Sequence, residues 1–469
     1  MANDIDVIVI GGGGAGLAAA VTARDAGARV ALIEADTRLG GSTALSGGVY
    51  YAAGTSVQRA KGIEGDTADA MYEYYMALNQ YRLEPALARR ICDNSGRDLE
   101  WLISLGVEFR PDGLYCSGVE SIARGHGAAE WGKSIIDQLQ AAASAKGVDV
   151  ALNTRVTDLY RDAGGKVAGV RLGDEVVEAG AVVVATGGFG ANRHMLHQLY
   201  PEAMRHGDDW TWYIGSQHCI GDGLKMGAAV GADIIGHDRG LLLTTPGFAK
   251  DLEVYVPGWL LYVNREGRRF VDETIEYAVM SGVVQAQTGA SCFAIFDDAA
   301  RAAAKPRPEF EKAALAGIVV LNWTTDRLDE QIKKRNILKA DTLDDLARQT
   351  GVDPEAFATT IAKYNSDCAN GVDSAFFKDG SVMRPIATPP FYAREIRTAI
   401  ICLTSTGLRI DPDARVLDKA DRPIIGLYAA GETTGGALGE RYIGGGNSIT
   451  NAIVFGRIAG ASAAAHAQG

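Results

Sequence analysis

Near its start the chain reads "DVIVIGGGGAGLAAAVTARDAGARVALIEAD": an unbroken apolar stretch, a glycine-rich turn, an alanine-rich segment and a second apolar stretch. That order predicts strand, tight turn, helix and strand. The device of an apolar strand ending in glycine returns in "AGAVVVATGGFGAN" and again, more than 400 residues from the start, in "PIIGLYAAGETTGG". Running into the second of these, "VDVALNTRVTDLYRDAGGKVAGVRLGDEVVEAGAVVVATGG" alternates apolar and polar positions between glycine turns and predicts a β-meander. "GDGLKMGAAVGADI" predicts a turn and a helix that begins at Asp222. From about residue 238 to 403 the rhythm changes to mixed strands and amphipathic helices with few glycine clusters. Within it "LDDLARQTGVDPEAFATTIAKYNSDCAN" predicts two packing helices joined by a turn. The pattern therefore predicts an α/β protein: a Rossmann-like nucleotide domain in two parts, 1–237 and 404–469, interrupted by an inserted α+β cap domain, 238–403, that would carry catalytic groups.

Composition narrows this picture. At 469 residues, 47% of them hydrophobic, the chain can bury a large core. The 58 glycines gather towards both ends, where backbone must lie close against a ligand. A formal charge of −12 argues against nucleic acid or an anionic membrane surface as partner. The six cysteines are scattered without metal or redox spacing, which fits reduced thiols in a cytoplasmic protein and predicts no metal site. The opening "MANDIDVIVIGG" runs straight into a strand pattern, so no secretory signal is expected, and no apolar run is long enough to predict a membrane-spanning helix.

The first turn carries candidate chemistry. Gly11, Gly13 and Gly16 fit G-x-G-x-x-G, with Gly14 and Ala15 opening the helix. The first glycine permits the turn, the second lets backbone N–H groups reach a pyrophosphate, and the third packs helix on strand. Glu34, followed by Ala35, closes the second strand where an acid can bind a ribose diol. A second small-residue cluster follows, with Gly40, Gly41, Ser42 and Thr43, then Ser46, Gly47 and Gly48. It suits a cofactor longer than NAD. Ala185, Thr186, Gly187 and Gly188 end the third glycine-capped strand, and Gly431 with Glu432 ends the last, placing Glu432 towards a ribityl chain. Together these predict FAD, with Val156 beside the adenine and Asp222 among the binding residues. No second complete nucleotide fingerprint is present, so NADH has no dedicated site.

With "GGSTALSGG", "ATGGFG", "YVNREGRRFVDE", "GLYAAGETTGG" and "GGNSITNAIVFGRIAG" in place, the chain resembles the fumarate reductase and succinate dehydrogenase flavoproteins over nearly its whole length. The resemblance implies backbone contacts from Asn447, Ser448 and Ile449 to the flavin, and non-covalent FAD, since "GGSTALSGG" offers no tethering His. Where those enzymes carry T-T-R-D, with the proton-donor Arg, this chain has "VDETIEY" and Tyr277. Their E-x-x-R-G relay meets "EVYVPG", which keeps Glu253 and has Val256 for the Arg. Their substrate histidines meet "LLLTTP" and "CLTSTG". Their carboxylate-clamping Arg in H-G-x-N-R-L-G-G-N meets "LGERYIGGGN", with Tyr442 at that place and Arg441 beside it.

These replacements resemble the flavin-dependent 3-ketosteroid dehydrogenases. The Δ1 enzymes carry a catalytic Tyr in N-E-S-x-P-Y, matched by Tyr277, and Y-P-G-P-G, matched in spacing by Tyr442 and Gly446. The early segments look more like the Δ4-(5α) enzymes, although Gly444 stands where those have Ser. Tyr115 is the candidate for a third active-site Tyr. The resemblance implies desaturation of a ketone: Tyr277 takes the α proton, Tyr442 O–H and Gly446 N–H hold the carbonyl oxygen, and hydride passes to FAD. A carboxylate wants a bidentate Arg, whereas a ketone oxygen wants a neutral donor that strengthens as charge develops. The substrate expected is a steroid or similar cyclic ketone, with a quinone or separate redox partner as electron acceptor. Two alternatives stay open: a fumarate-reductase-like ene-reductase acting on an enone or unsaturated acid, and a flavoprotein whose FAD serves structure or partner binding. The position of the double bond also stays open.

Overall fold

The computed structural model describes residues 5–469; residues 1–4, the start of the first domain read from the sequence, lie outside them. The described chain divides into two compact units. The first holds the residues up to Glu202, Gly215–Leu241 and Cys402–Gly469; the second holds Ala203–Ile214 and Leu242–Ile401.

In the first unit β1 (Val7–Ile10) is buried at all four positions, as a strand covered on both faces must be. It pairs in parallel with β2 (Val30–Ile33) and, further along the chain, with β4 (Ala181–Val184). The edge strand β3 (Asp149–Ala151) extends the sheet beyond β2 in parallel. On the other side β9 (Pro423–Ala429) joins β4 in parallel and β8 (Arg415–Leu417) closes the sheet antiparallel. The three glycine-ended strands β1, β4 and β9 are thus neighbours, and the glycine turns leave one end of the sheet together. Helix α1 (Gly14–Asp25) packs against the C-terminal helix α4 (Asn447–Gln468). The approach is close: a Cβ on Gly460 would lie 2.2 Å from the Ala19 carbonyl oxygen. Of the run from 148 to 188 read as a meander, only Asp158–Arg161, Val167–Leu172 and Glu175–Glu178 form an antiparallel sheet, while its two ends are β3 and β4 of the parallel sheet.

The second unit is built on a mixed sheet whose long strand β7 (Phe391–Thr404) pairs antiparallel with β6 (Ser291–Asp297), which pairs with β5 (Leu261–Val263). Trp212–Tyr213 pairs in parallel with Ile400–Ile401, which is why Ala203–Ile214 belongs to this unit. The helix pair read near 343–370 is present as Leu343–Thr350 and Pro354–Asn370. No helix of the described residues is long and apolar enough to cross a membrane, and no group of side chains among them could hold a metal ion.

A buried ion pair braces the first unit. Arg124 and Asp66, side chains 3% and 1% exposed, meet at 2.7 Å. His126 alongside bonds the Thr55 hydroxyl at 2.8 Å and the Arg124 carbonyl at 2.7 Å, and burial holds its pKa down to about 4. This histidine is a neutral loop brace. Asp66→Ala should cost about 3–5 kcal/mol in denaturant unfolding, because it leaves the Arg124 charge buried without its partner. A loss under 1 kcal/mol would show that water reaches the pair.

Candidate functional site

The first unit offers a cradle for a dinucleotide. A Cβ on Gly16 would sit 1.8 Å from the Gly11 carbonyl oxygen, so only glycine lets α1 seat on β1. The cap residue Gly13 supplies no side chain, and the first N–H groups of α1 are left for another acceptor. Glu34 stands at the end of β2, its Oε2 accepting Gly12 N–H at 2.6 Å and its Oε1 accepting Asp36 N–H at 2.8 Å. Both oxygens keep further acceptor capacity for a ribose hydroxyl. Gly40 bridges to Gly13, and Thr43 Oγ1 lies over Gly14. Ser46 Oγ donates to the Thr43 carbonyl at 2.7 Å and accepts Gly48 N–H at 3.2 Å, turning the chain beside Gly47, whose Cα faces open space. Ser42 Oγ accepts Ser216 N–H at 3.0 Å.

The other predicted cofactor residues divide in placement. Val156 is buried, and next to it Arg155 pairs with Asp222, the first residue of the helix Asp222–Ala229. Thr186 Oγ1 accepts Gly223 N–H at 3.2 Å, which ties the end of β4 to that helix. Glu432 receives the Thr404 N–H at 2.8 Å and hydroxyl at 3.0 Å on Oε1, and burial raises its carboxyl. The uncapped start of α1, the glycine turns and the acid at the end of β2 fit FAD.

A second feature sits at the start of α4. The cap residue Gly446 has φ +104°, and a Cβ there would lie 2.9 Å from Tyr51 N, so backbone shape and space both require glycine. Among the described residues its N–H has no acceptor. Tyr442 folds back over the same helix end: its Oη accepts Ser448 N–H at 3.0 Å and lies 3.1 Å from Ser448 Oγ. The loop between them is fastened from several sides. Tyr75, on α2 (Ala68–Leu78), donates to Asn447 Oδ1, Asn447 Nδ2 reaches the Gly444 carbonyl at 2.8 Å, and Tyr74 donates to the Ile443 carbonyl at 2.8 Å. Gly445 N–H donates to the Ser117 carbonyl at 2.7 Å and Asn79 holds Arg441 N–H at 2.8 Å. The sequence did not single out Tyr74, Tyr75, Asn79 or Ser117; Tyr74, Tyr75 and Asn79 lie in no motif, and Ser117 stands two residues after Tyr115. Arg441 is exposed, and Tyr115 ends the strand Phe109–Tyr115 with 45% of its surface exposed.

Tyr277 belongs to the second unit, as the first residue of α3 (Tyr277–Gln285). Glu276 caps that helix by accepting Ala278 N–H at 2.7 Å. Tyr277 lines a cavity of about 50 Å³ with Thr245, Glu253, Val256, Glu273 and Trp323. Glu273 is fully engaged, at 2.9 Å from Arg269 and 2.8 Å from Lys378. Glu253, 4% exposed, accepts Asn322 Nδ2 at 2.7 Å and the Thr245 hydroxyl at 3.3 Å, and among the described residues its Oε1 has no partner. Burial pushes its carboxyl up to about 8, so it carries a proton at neutral pH. Among the described residues no Arg, Lys or His lines this cavity.

The raised acid has a consequence for stability. Folded Glu253 keeps a proton that the unfolded chain releases above about pH 4.5. Its contribution is present in full below that pH and is lost as pH rises through about 8. Glu253→Gln cannot ionise, so its melting temperature should gain on the parent between pH 5 and 8, by a few kcal/mol of stability at the upper end. Parallel melting curves across that range would show the parent carboxyl ionised in the fold.

Comparison with known proteins agrees with the cradle. A family model described as FAD binding domain matches residues 6–449. A fumarate reductase (cytochrome) of Shewanella frigidimarina is 32% identical over 99% of this chain and 78% of its own length. A urocanate reductase of Eggerthella lenta is also 32% identical, over 99% of this chain and 75% of its own. The 3-ketosteroid-Δ4-(5α)-dehydrogenase of Rhodococcus jostii, solved with 4-androstene-3,17-dione, superposes with a TM-score of 0.77 at 26% identity, covering 98% of this chain and 96% of that one.

Proposed function

The chain belongs to the FAD binding domain family, as an FAD-dependent oxidoreductase acting on carbon–carbon double bonds, and we propose that its substrate is an uncharged ketone, a 3-ketosteroid or similar cyclic ketone, desaturated α,β to the carbonyl. The observation that carries the reading is the helix start at Gly446, whose N–H has no acceptor among the described residues and whose first turn the Tyr442 hydroxyl caps. Such donors hold a carbonyl oxygen best once it gains negative charge, which is when the α C–H becomes acidic. FAD, when bound, supplies the hydride acceptor for the β carbon. Tyr442 and Gly446 N–H orient the ketone; Tyr277 removes the α proton. Glu253 lines the same cavity as Tyr277, and burial keeps its carboxyl protonated there.

The relatives that reduce fumarate and urocanate favour the reverse direction on an unsaturated acid. The cavity beside Tyr277 counts against an acid here. Among the described residues its lining holds Glu253 and Glu273 and no Arg, Lys or His, the cations on Glu273 being already engaged, and a carboxylate brought there would lose its water without a partner. A test is to reduce the bound flavin chemically without oxygen and to offer cyclohex-2-enone, 4-androstene-3,17-dione or fumarate. Reoxidation by the uncharged enones, at a rate well above that with fumarate, is expected. Fast reoxidation by fumarate alone would move the assignment to the acid-reducing branch.

A further inference from the structure

Two polar groups of one residue, an N–H and a hydroxyl, converge on the Tyr442 phenol oxygen. Ser448 N–H reaches it at 3.0 Å and Ser448 Oγ at 3.1 Å, both within the first turn of a 22-residue helix. A capping hydroxyl of this kind needs only to accept one N–H. Here the accepting group is the very phenol that the proposed reaction needs, and the hydroxyl of the same residue lies within bonding distance of it. Charge on that oxygen would shorten both bonds, and the positive end of the helix would favour it further. Around this loop stand Tyr74 and Tyr75 of α2, bonded to Ile443 and Asn447, with burial holding Tyr75 in its phenol form, and the buried Glu120 carboxylate near the Tyr74 hydroxyl and the Ile443 carbonyl. The Arg441 side chain is exposed.

We infer that Ser448 is a positioning residue that makes Tyr442 a proton donor, giving the phenolate its own oxyanion hole. This rests on the reading of Tyr442 as the group that meets the carbonyl. The step is an enolisation and involves no oxidant. The α C–H bond breaks and its proton goes to Tyr277, which enters the step as its phenolate and leaves it as the neutral phenol. The C–H electron pair forms the new C=C bond, and the carbonyl π pair moves to oxygen, which takes the Tyr442 proton. The negative charge left on Tyr442 Oη is held by Ser448 N–H and by the Ser448 hydroxyl, which turns to donate. Reversal returns every proton, so the step can be observed with no net oxidation.

The test is exchange of ketone α hydrogens for deuterium, read by NMR with the FAD-loaded protein in D₂O. The flavin is kept chemically reduced, and cyclohexanone and 4-androstene-3,17-dione are the probes. Ser448→Ala keeps the N–H and loses the hydroxyl. It should slow exchange by about 10- to 100-fold, as expected for loss of one donor to a charged oxygen, with FAD content and flavin spectrum unchanged. Ser448→Thr, which restores a hydroxyl, should recover most of the rate. Exchange as fast in Ser448→Ala as in the parent would overturn the role of Ser448 while leaving the carbonyl site intact. No exchange of either ketone by the parent protein would instead count against the ketone reading itself.

Discussion

Tyr442→Phe should lower kcat/KM for ketone desaturation by about 100- to 1000-fold while FAD stays bound. Loss of a single donor to a developing oxyanion costs about 3–4 kcal/mol at a preorganised site. The loss should fall mainly on kcat, because the donor matters more as charge builds than in the ground-state complex. The fold should tolerate the change. The Tyr442 ring remains, and the N–H that it leaves, Ser448 N–H, sits in the first helical turn, where water is an adequate acceptor. The measurement is steady-state kinetics beside flavin content by absorbance. Unchanged kcat with full flavin content would remove Tyr442 from the reaction.

Tyr277→Phe should be at least as severe, about 100- to 10,000-fold in kcat, since it removes the group that takes the α proton. Phe keeps the ring that lines the cavity together with Ile275, Met280 and Val256. The helix start at Glu276 does not depend on the hydroxyl either. The discriminating result is a primary isotope effect. With substrate deuterated at the α carbon, the Phe variant should show a larger effect than the parent, because proton removal then limits turnover. If the variant turned over at near the parent rate, another group would have to be the base.

Some of this was legible in the residues alone. The strands β1, β4 and β9 announce themselves because burial on both faces of a parallel sheet forces unbroken apolar runs, and the glycines that end them are dictated by backbone clashes such as Gly16 against Gly11. Gly446 was legible only through a resemblance, by its spacing from Tyr442; its positive φ at a helix start came from the structure. Side-chain contacts distant in sequence were not. Asn322 holds Glu253 from 69 residues away, and Tyr75 reaches Asn447 across 372, with no local pattern to mark either. The pairing of Trp212–Tyr213 with Ile400–Ile401 likewise assigns Ala203–Ile214 to the second unit through a contact that no periodicity encodes. The bond between Tyr442 and Ser448 lies in between: the two are six residues apart, but only the turn at Gly446 brings one over the other.

The most direct measurement is to mix the FAD-loaded, oxidised protein without oxygen with 5α-androstane-3,17-dione, 4-androstene-3,17-dione and cyclohexanone in turn, following flavin absorbance and identifying products by mass. Loss of the oxidised flavin band with at least one ketone, together with a product two mass units lighter, is the result the account predicts. An oxidised band unmoved by all three, in a protein whose reduced flavin is reoxidised by fumarate, would contradict it.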